Sequence, residues 1–585
     1  MRSLQFIGSL SQRRRFGGGG TTPPPDNSPN GLGEGIEFNL PAYEMRVGTA
    51  YTLGITPPNG YSVVWAIQDA HSLMPGRTPR VLLTGTGNTA SWTPTTSVDL
   101  NNRHLFIYLT AIVTKGTNVF MRRSKKIRVA SPRVTSEGGF NEVWDFSANG
   151  GSKVTYYTKT GVDMTNYKIG VKGTAPNLTA WLGLQEFVSN NPDQPVTIQN
   201  VPGQKAVINH NGSNYGLKIT LGCQNLFIDG GGDPNIPYGI EFHTNSAAAQ
   251  IIYIEGWGSS AAAGAKNIAL NRIYCNGHEL CLGAGIEIAT QNTTGLNYDS
   301  GYSVDGVSFT DCFVEGPRSE GNYIGRFTDN QGYAPITHLT ILRMHTKRTG
   351  ADGIQVGLTR ESEISECIVE DSGFKLDDNH SNAFQLNPGN KNVYWFRNKV
   401  LSTTYTLSMN SGIHAGNQEI FSNLFINKTV NMESNFYLGL AQNTAQDPTS
   451  IDFKVIHNTI IAPSGKTDNV PFYIAKATTG VTTTFRKLIL ADNVLLNKDT
   501  TQYGVLNNPS LTEAVIDNYI TTSSSAPMFK NYAAGDYNIS SLSSPNYQSV
   551  SGAYTAAHPL AAEDIDGYQF KRPVNGAYSG VYLMT

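Results

Sequence analysis

The chain has 585 residues, of which 15% are charged and 60 are glycine, and its formal net charge at pH 7 is −2. A chain of this length exceeds one ordinary globular core, so we expect several domains or a repeat architecture built from strands and tight turns. A net charge near zero gives no reason to expect nucleic acid as a partner. No apolar run approaches the roughly 18 residues of a bilayer span, so no membrane insertion is expected.

Residues 1–35 predict a flexible docking peptide or linker. Arg13 to Arg15 precede four glycines and then three prolines, the composition of a flexible tether that becomes stiff. A disordered tail without a docking role is an equally compatible interpretation. The segment lacks the apolar centre of a secretory signal peptide, so a protein that works outside the cell is expected to leave on a particle or by lysis.

Residues 36–131 predict a small β-sandwich of immunoglobulin-like type. Alternating runs such as "YSVVWAIQD" and "HLFIYLTAIVT" are separated by turn-rich pieces, and Trp65 lies in the middle of one run. Arg122, Arg123, Lys125 and Lys126 alternate with apolar residues on the last run, "VFMRRSKKIRVA". We interpret them as the charges of a solvated edge strand, with an anion site as the alternative.

After a connector and N-terminal cap at 132–194, an internal repeat extends over residues 195–520. Eight apolar segments align on one central position, at spacings of 23 to 40 residues; the aligned residues are Asn271, Asp311, Arg343, Glu366, Asn398, Asn423, Asn458 and Asn493. A second motif, of the form small–Ile–x–apolar, lies between them. Repeats of this kind have no helical periodicity and cannot bury their apolar face singly, so they stack into a solenoid. The all-β fold class that follows is a right-handed parallel β-helix.

The repeat resembles the pectate-lyase-like β-helix superfamily. In that superfamily stacked Asn side chains bond successive coils at a bend, and Asn271, Asn398, Asn423, Asn458 and Asn493 match this pattern. Asp311, Arg343 and Glu366 depart from it. Residues 521–585, which contain "GDYNISSLSSP", resemble the C-terminal cap of such proteins. The resemblance implies the fold but no single reaction, because the superfamily includes lyases, hydrolases, epimerases and adhesins.

The small–Ile–x–apolar strands predict a row of outward side chains on one sheet. Their first and last apolar residues point inward, so the middle residue points out. The residues predicted to bind substrate in this way are Glu241, Glu287, Gln355, Gln385 and His414, with Lys218 in the same row. Carboxylates, amides and imidazole suit sugar hydroxyls. A plain solvated face is the alternative.

Four further polar residues are predicted to gather at the edge of this sheet. Asp352 precedes the strand "GIQV", and Asp377, Asp378 and His380 precede the equivalent strand one coil on. Repulsion between converging carboxylates would raise one pKa, as a general acid requires, so these are the candidate catalytic residues for hydrolysis. The alternative is an Asx-rich turn that bonds to itself.

No metal site or cofactor is expected. The five cysteines are an odd number without paired CxxC spacing, and we expect buried thiols. His243, His345 and His457 are spread over different coils and are expected to be surface or packing residues. Glu370 and Asp371 are expected to be solvated.

The whole arrangement resembles bacteriophage tailspikes and related virion receptor-binding proteins. The resemblance implies a homotrimer on the virion that binds host surface glycan through the β-helix, and sometimes depolymerises it, while residues 1–35 dock to other virion proteins. Two alternatives stay open. One is a free polysaccharide lyase or glycoside hydrolase, and the other is a non-catalytic structural or adhesive virion component.

Overall fold

The computed structural model describes residues 37–40, 44–57, 59–74, 77–116, 118–148, 157–159, 161–220, 222–248, 250–256, 264–290, 304–325, 334–375, 382–387, 389–403, 409–412, 418–426, 434–440, 452–456, 458–461, 470–476, 484–485, 487–496, 503–506, 510–511, 514–521, 529–531, 536–539, 549–550, 568–569 and 577–578. The predicted docking peptide at 1–35 lies outside these residues, and so do Asp377, Asp378, His380 and His414.

A small domain comes first in the chain. Its strands are β1 (Glu37–Asn39), β2 (Glu44–Arg46), β3 (Tyr51–Thr56), β4 (Ser62–Asp69), β5 (Val81–Thr86), β6 (Thr89–Trp92), β7 (Leu105–Lys115), β8 (Asn118–Arg123) and β9 (Ile127–Ala130). They form one sheet of order β1-β3-β6 and a second of order β2-β9-β7-β4-β5, with β8 paired to β7. Leu53 and Ile55 of the first sheet share a buried core with Trp65 and Leu109 of the second, so the domain is a β-sandwich.

The next strands form the first half of the β-helix. They are β10 (Glu142–Asp145), β11 (Tyr157–Thr158), β12 (Lys168–Leu178), β13 (Leu182–Gln185), β14 (Val196–Asn200), β15 (Ala206–His210), β16 (Tyr215–Ile219), β17 (Gln224–Asp229), β18 (Ile240–Thr244), β19 (Gln250–Gly256), β20 (Lys266–Asn271), β21 (Ile273–Asn276), β22 (Ile286–Thr290), β23 (Val304–Asp305), β24 (Ser308–Thr310), β25 (Phe313–Glu315), β26 (Asn322–Ile324), β27 (Ile336–Thr337), β28 (Thr340–Leu342) and β29 (His345–Lys347).

The second half and the C-terminal strands follow. They are β30 (Ile354–Val356), β31 (Thr359–Ser365), β32 (Ile368–Ser372), β33 (Phe384–Leu386), β34 (Lys391–Phe396), β35 (Lys399–Thr403), β36 (Met409–Gly412), β37 (Gln418–Phe421), β38 (Leu424–Ile426), β39 (Ser434–Leu440), β40 (Asp452–Ile456), β41 (Thr459–Ile461), β42 (Val470–Lys476), β43 (Thr484–Phe485), β44 (Lys487–Leu496), β45 (Tyr503–Leu506), β46 (Ser510–Leu511), β47 (Ala514–Thr521), β48 (Phe529–Asn531), β49 (Asp536–Ile539), β50 (Ser549–Val550), β51 (Tyr568–Gln569) and β52 (Ala577–Tyr578).

The strands from β10 to β42, with β44, β45 and β47, stack as a right-handed parallel β-helix, so the predicted all-β fold class is confirmed. A 12-stranded parallel sheet, which we call sheet 1, runs from β11 to β45 and takes one strand from each coil. A 24-stranded sheet takes the rest of each coil. It bends once per coil; we call the half before the bend sheet 2 (from β14 and β17 to β40) and the half after it sheet 3 (from β15 and β18 to β41). Among the described residues the helical elements are two short 3-10 turns, His71–Leu73 and Glu137–Gly139, and no helix is long and apolar enough to cross a membrane.

The bend between sheets 2 and 3 is made by residues in the left-handed backbone region. Their φ angles lie between 50° and 57°, and they are Arg272, Asp311, Arg343, Glu366, Arg397 and Ser422. The predicted equivalence of Asp311, Arg343 and Glu366 with the Asn ladder is therefore wrong by one residue. Their side chains point away from the core and alternate in charge: Arg343 binds Asp311 with two hydrogen bonds of 2.6 and 2.9 Å. Attraction along this row replaces the repulsion that stacked carboxylates would give.

The Asn ladder occupies the next position and is present in the C-terminal coils. The main-chain N–H of Asn398 donates to Oδ1 of Asn423, that of Asn423 to Asn458, and that of Asn458 to Asn493, at 2.9 to 3.0 Å. All four side chains are fully buried. In earlier coils Cys312 and Cys367 take this position, so the assignment of Asn271, which lies one residue before the bend, is wrong. All five cysteines are buried free thiols, as predicted.

Candidate functional site

The outer face of sheet 2 is covered by the small domain. Phe106 and Tyr108 of β7 share a buried apolar cluster with Tyr394, Phe396 and Phe421, which point outward from sheet 2. This packing leaves no surface for a ligand over these coils. Sheet 2 is therefore excluded as a ligand-binding face where the small domain covers it.

Two buried ionic contacts hold the same interface. The Lys126 ammonium lies 2.5 Å from the Glu363 carboxylate, and both side chains are at most 3% exposed. Arg46 donates to Asp229 at 2.8 Å and to Glu44 at 2.6 Å. Burial opposes ionisation of Asp229, but attraction to Arg46 outweighs it and lowers the pKa of that carboxyl to about 2. The exposure predicted for Arg123 and Lys126 is wrong, because both are buried, whereas Lys125 is exposed as predicted.

The outer face of sheet 1 carries most of the predicted substrate-binding row. Successive register partners are Lys218, Tyr253, Glu287, Tyr323, Gln355, Gln385 and Asn410. Gln355 is 1% and Gln385 5% exposed, so this face is covered along β30 and β33. Glu287 is partly exposed and accepts a hydrogen bond of 2.5 Å from Gln250. Covered amides on these coils do not form an open groove.

Glu241 does not belong to that row. It lies in β18 on sheet 3, where its register partner in the next coil is Tyr274. The motif "GIEF" at 239 therefore forms a strand of a different sheet from "GIEI" at 285.

Asp352 is fully buried beside the first residues of the next coil. It accepts hydrogen bonds from the main-chain N–H and the side-chain amide of Asn382, at 2.7 and 2.8 Å. These contacts join one turn to the equivalent turn of the next coil, which is a structural role. Its predicted neighbours Asp377, Asp378 and His380 lie outside the described residues, and their convergence with Asp352 stays a prediction.

The outer face of sheet 3 is a partly solvent-exposed surface that carries aromatic and ionisable side chains. Its outward positions form two columns along the helix axis: Glu241, Tyr274, Phe313 and His345 in one, and His243, Asn276, Glu315, Lys347 and Glu370 in the other. Every one of these residues is partly exposed, whereas the residues between them are buried. With Tyr238 beside the first column, we call these residues the Tyr274 face.

After Glu241, the first column forms an aromatic stripe. The Phe313 and His345 rings stack at 4.5 Å with an interplanar angle of 6°, and Tyr274 lies 5.3 Å from Phe313. Tyr238 extends the group, at 5.9 Å from Tyr274. Because these rings follow one another along the helix axis, they form a continuous aromatic row on the partly exposed face.

The second column supplies hydrogen-bonding groups held in place by their neighbours. The Tyr274 hydroxyl donates to Glu315 at 2.8 Å and accepts from Asn276 at 2.9 Å. Glu370 lies 3.3 Å from His345 and 3.4 Å from Lys347. Burial, reinforced by the nearby Glu315 carboxylate, raises the pKa of the Tyr274 phenol, which therefore stays a hydrogen-bond donor at neutral pH.

Two carboxyl groups of this face, those of Glu370 and Glu241, have a lowered pKa. The hydrogen bond from His345 and the charge of Lys347 lower the pKa of Glu370 to about 2. Burial opposes ionisation of Glu241, but hydrogen bonds from His243 and Lys205 outweigh it and lower its pKa. Both groups are thus charged at neutral pH, whereas a general acid needs a raised pKa. The backbones of Glu315 and Glu370 lie two coils apart, about 10 Å, which is close to the upper end of the carboxyl separation in inverting glycoside hydrolases.

His243 and His278 form an imidazole pair beside Glu241. Nδ1 of His243 lies 3.1 Å from Nε2 of His278, and the ring centres are 5.4 Å apart, so both nitrogens lie near the line that joins the rings. This is the geometry of an N–H···N hydrogen bond. Within the part of the chain that the structure describes, no three His, Cys, Asp or Glu side chains group closely enough to hold a metal ion.

Comparison with known proteins does not identify a family. No protein-family model matches the chain, and no curated protein matches it. A solved structure that aligns with it is a Yersinia enterocolitica family 28 exopolygalacturonase, which is 9% identical, covers 83% of this chain and 98% of its own, and superposes with a TM-score of 0.23. This likeness carries no argument about substrate or activity.

Sequence reasoning missed most of the Tyr274 face, although the signal was present. In the repeat, the residues two and four positions after the bend are the outward ones, as in Phe313 and Glu315 after Asp311. Placing Asn271 instead of Arg272 at the bend hid the equivalence of Tyr274 with Phe313. The expectation that His345 and Glu370 lie at the surface is consistent with their partial exposure.

Proposed function

We propose that this protein is a virion-attached spike that binds host surface polysaccharide along the Tyr274 face. The observation that carries the proposal is the pairing of an aromatic stripe with a parallel column of hydrogen-bonding groups on a partly exposed sheet. Both run along the helix axis, from β18 to β32. A polysaccharide is chemically complementary to such a face, because apolar C–H surfaces and hydroxyl groups repeat along its length.

The fixed geometry of the polar groups supports binding. Tyr274, Glu315 and Asn276 hold one another through hydrogen bonds, and His345, Lys347 and Glu370 do the same on the next two coils. Side chains already held in place lose little conformational entropy when a ligand binds. The face therefore favours binding of a polymer over several coils at once.

Binding is favoured over hydrolysis. Glu241 and Glu370 are held as charged carboxylates, and Asp352 is buried against Asn382. None of these three is arranged as a general acid. We therefore propose attachment to the glycan, not its depolymerisation, as the function of this face.

The virion role rests on the sequence of residues 1–35 and on the overall architecture. A basic peptide followed by glycines and prolines suits a tether between a particle and a rigid spike. The sandwich packed on the β-helix provides such a rigid body. We extend the proposal to a homotrimer, the usual assembly of the spikes that this architecture resembles.

Glycan binding is tested with two variants from one coil. Phe313→Ala shortens the aromatic stripe on sheet 3, and Tyr323→Ala, its matched control, removes a partly exposed ring from sheet 1. The wild-type chain and both variants are titrated against a panel of purified bacterial surface polysaccharides, after thermal unfolding has checked their folding. We expect Phe313→Ala to weaken binding at least tenfold, roughly the loss for one buried ring. An unchanged affinity for Phe313→Ala, with a loss for Tyr323→Ala, would place the site on sheet 1.

The virion role needs a separate experiment. Deletion of residues 1–35 is expected to abolish incorporation into particles while the purified chain still binds glycan. Particles that carry the truncated chain at the normal level would contradict the docking role.

A further inference from the structure

The charges of the Tyr274 face are not balanced. Two lysines at the face are already paired with carboxylates, Lys205 with Glu241 at 2.5 Å and Lys347 with Glu370 at 3.4 Å. Glu315 has a different partner, the uncharged hydroxyl of Tyr274 at 2.8 Å. In the described residues no lysine or arginine forms an ion pair with Glu315. Within the part of the chain that the structure describes, this carboxylate in the middle of the face therefore has no ion-pair partner.

The neighbouring imidazole of His278 does not supply a countercharge at neutral pH. Burial, together with repulsion from His243, lowers the pKa of His278, so this ring is neutral at pH 7. In register Glu315 lies between Asn276 and Lys347, at the centre of the hydrogen-bonding column. A ligand that follows this column has to pass over it.

We propose that the glycan bound on the Tyr274 face carries no carboxylate at the sugar over Glu315, and that this sugar presents a hydroxyl or an ammonium group to it. The inference rests on the proposed function and adds the chemical class of the ligand. A uronate at this position would face a like charge, because Lys347 is already shared with Glu370. A hydroxyl or ammonium donor would instead satisfy the free lone pairs of the Glu315 carboxylate. The face is therefore specific for neutral sugars or amino sugars.

Chemically matched polymers test the inference. Each uronate-containing polysaccharide of the panel is compared with its carboxyl-reduced form, in which every carboxylate has become a hydroxymethyl group. We expect the wild-type chain to bind the reduced form more tightly by roughly fivefold per site, the factor for two unit charges about 4 Å apart in water. Neutral and amino-sugar polymers are expected to be the tightest ligands of the panel.

Glu315→Gln is the decisive variant, since glutamine keeps the oxygen that accepts from Tyr274 but removes the charge. We expect this variant to lose the discrimination between the native and reduced polymers. Glu137→Gln is the matched control, because it removes one glutamate charge from an exposed pair with Lys172 before the first coil; it should discriminate as the wild type does. If Glu315→Gln does not fold, the salt dependence of the wild type gives the same information, because 1 M salt should abolish the preference.

Three outcomes overturn the inference. A wild-type chain that binds a uronate polymer as tightly as its reduced form contradicts it directly, while binding as such still supports the proposed function. Discrimination that survives in Glu315→Gln or in 1 M salt shows that Glu315 is not its source. A chain that binds no polymer of the panel overturns the proposed function and the inference together.

Discussion

Replacing Lys126 by methionine is expected to destabilise the contact between the small domain and the β-helix severely. The Lys126 ammonium lies 2.5 Å from Glu363, with both side chains at most 3% exposed. It also lies 5.5 to 5.9 Å from the ring centres of Phe106, Tyr108 and Phe396. Methionine keeps the apolar stem but removes the charge, so the buried Glu363 carboxylate loses its ion pair with Lys126.

The magnitude follows from these two contacts. Removing one partner of a buried ion pair costs about 3–5 kcal/mol, because the remaining charge has lost its countercharge. The lost cation–π contacts add about 1 kcal/mol. We therefore expect Lys126→Met to lower the free energy of unfolding by about 4–6 kcal/mol. The double variant Lys126→Met/Glu363→Met should recover most of this loss, since a buried ion pair and a well-packed apolar pair are of similar stability.

The measurement is a double-mutant cycle from urea-induced unfolding, with native-state hydrogen exchange at the amides of β9 and β31 as a local probe. Lys172→Met is the control, because its pair with Glu137 lies at the surface and should contribute little to stability. A change below 1 kcal/mol for Lys126→Met, or a double variant that is less stable than either single variant, would show that the Lys126–Glu363 pair does not hold the two parts together.

Three further predictions concern the β-helix. Asn423→Ala is expected to lower the free energy of unfolding by about 2–4 kcal/mol in urea titrations, because the buried Asn423 amide bonds to Trp395 and to the ladder residues on either side. A loss below 1 kcal/mol would contradict a stabilising role of the Asn ladder. Because the pKa of Asp229 is lowered to about 2 in the folded chain, its stabilising contribution is present above about pH 4 and is lost as the pH falls towards 2. Asp229→Asn should therefore reduce the loss of unfolding free energy between pH 4 and pH 2, measured by urea unfolding at each pH. An unchanged loss would contradict the lowered pKa of Asp229. Gly325→Ala should lower the free energy of unfolding, measured by thermal unfolding, by several kcal/mol more than Gly87→Ala. Both glycines have positive φ, but only at Gly325 would a Cβ meet the next coil, 1.8 Å from the Gly357 carbonyl oxygen. Equal losses of stability in the two variants would mean that the coils separate there without cost.

The repeat could be predicted from sequence because every coil solves the same packing problem. Each strand must place apolar residues inward at alternate positions, and this alternation is visible in segments such as "GLKI" and "GIQV". Asn398, Asn423, Asn458 and Asn493 also share one position in successive coils, which sets the register in the C-terminal half.

The position of the bend could not be predicted with the same accuracy. It depends on a left-handed backbone conformation, which in this chain is adopted by arginine, aspartate, glutamate and serine alike, as at Arg272, Asp311 and Ser422. No residue type identifies the bend. The sequence alignment of the repeats therefore placed Asn271 one residue before it and Asn398 one residue after it. A slip of one residue exchanges the inward and outward faces of a strand, and Tyr274 and Phe313 were missed for that reason.

Contacts between distant segments were also beyond sequence reasoning. Strands of sheets 1 and 3 have the same alternation, so "GIEF" gave no sign that Glu241 belongs to sheet 3. Lys126 likewise has the sequence environment of a solvated edge strand. Its partner Glu363 is 237 residues away, and only the packing of the small domain brings the two together.

The position of the small domain changes how the β-helix should respond to force and heat. In a simple solenoid each coil contacts only its neighbours, so unfolding can begin at an end and proceed coil by coil. Here the small domain contacts sheet 2 from Asp229 of β17 to the apolar cluster that includes Ile456 of β40. These strands are seven coil steps, about 34 Å, apart. The small domain therefore links these coils to one another, and the coils that it contacts should unfold cooperatively, in one step.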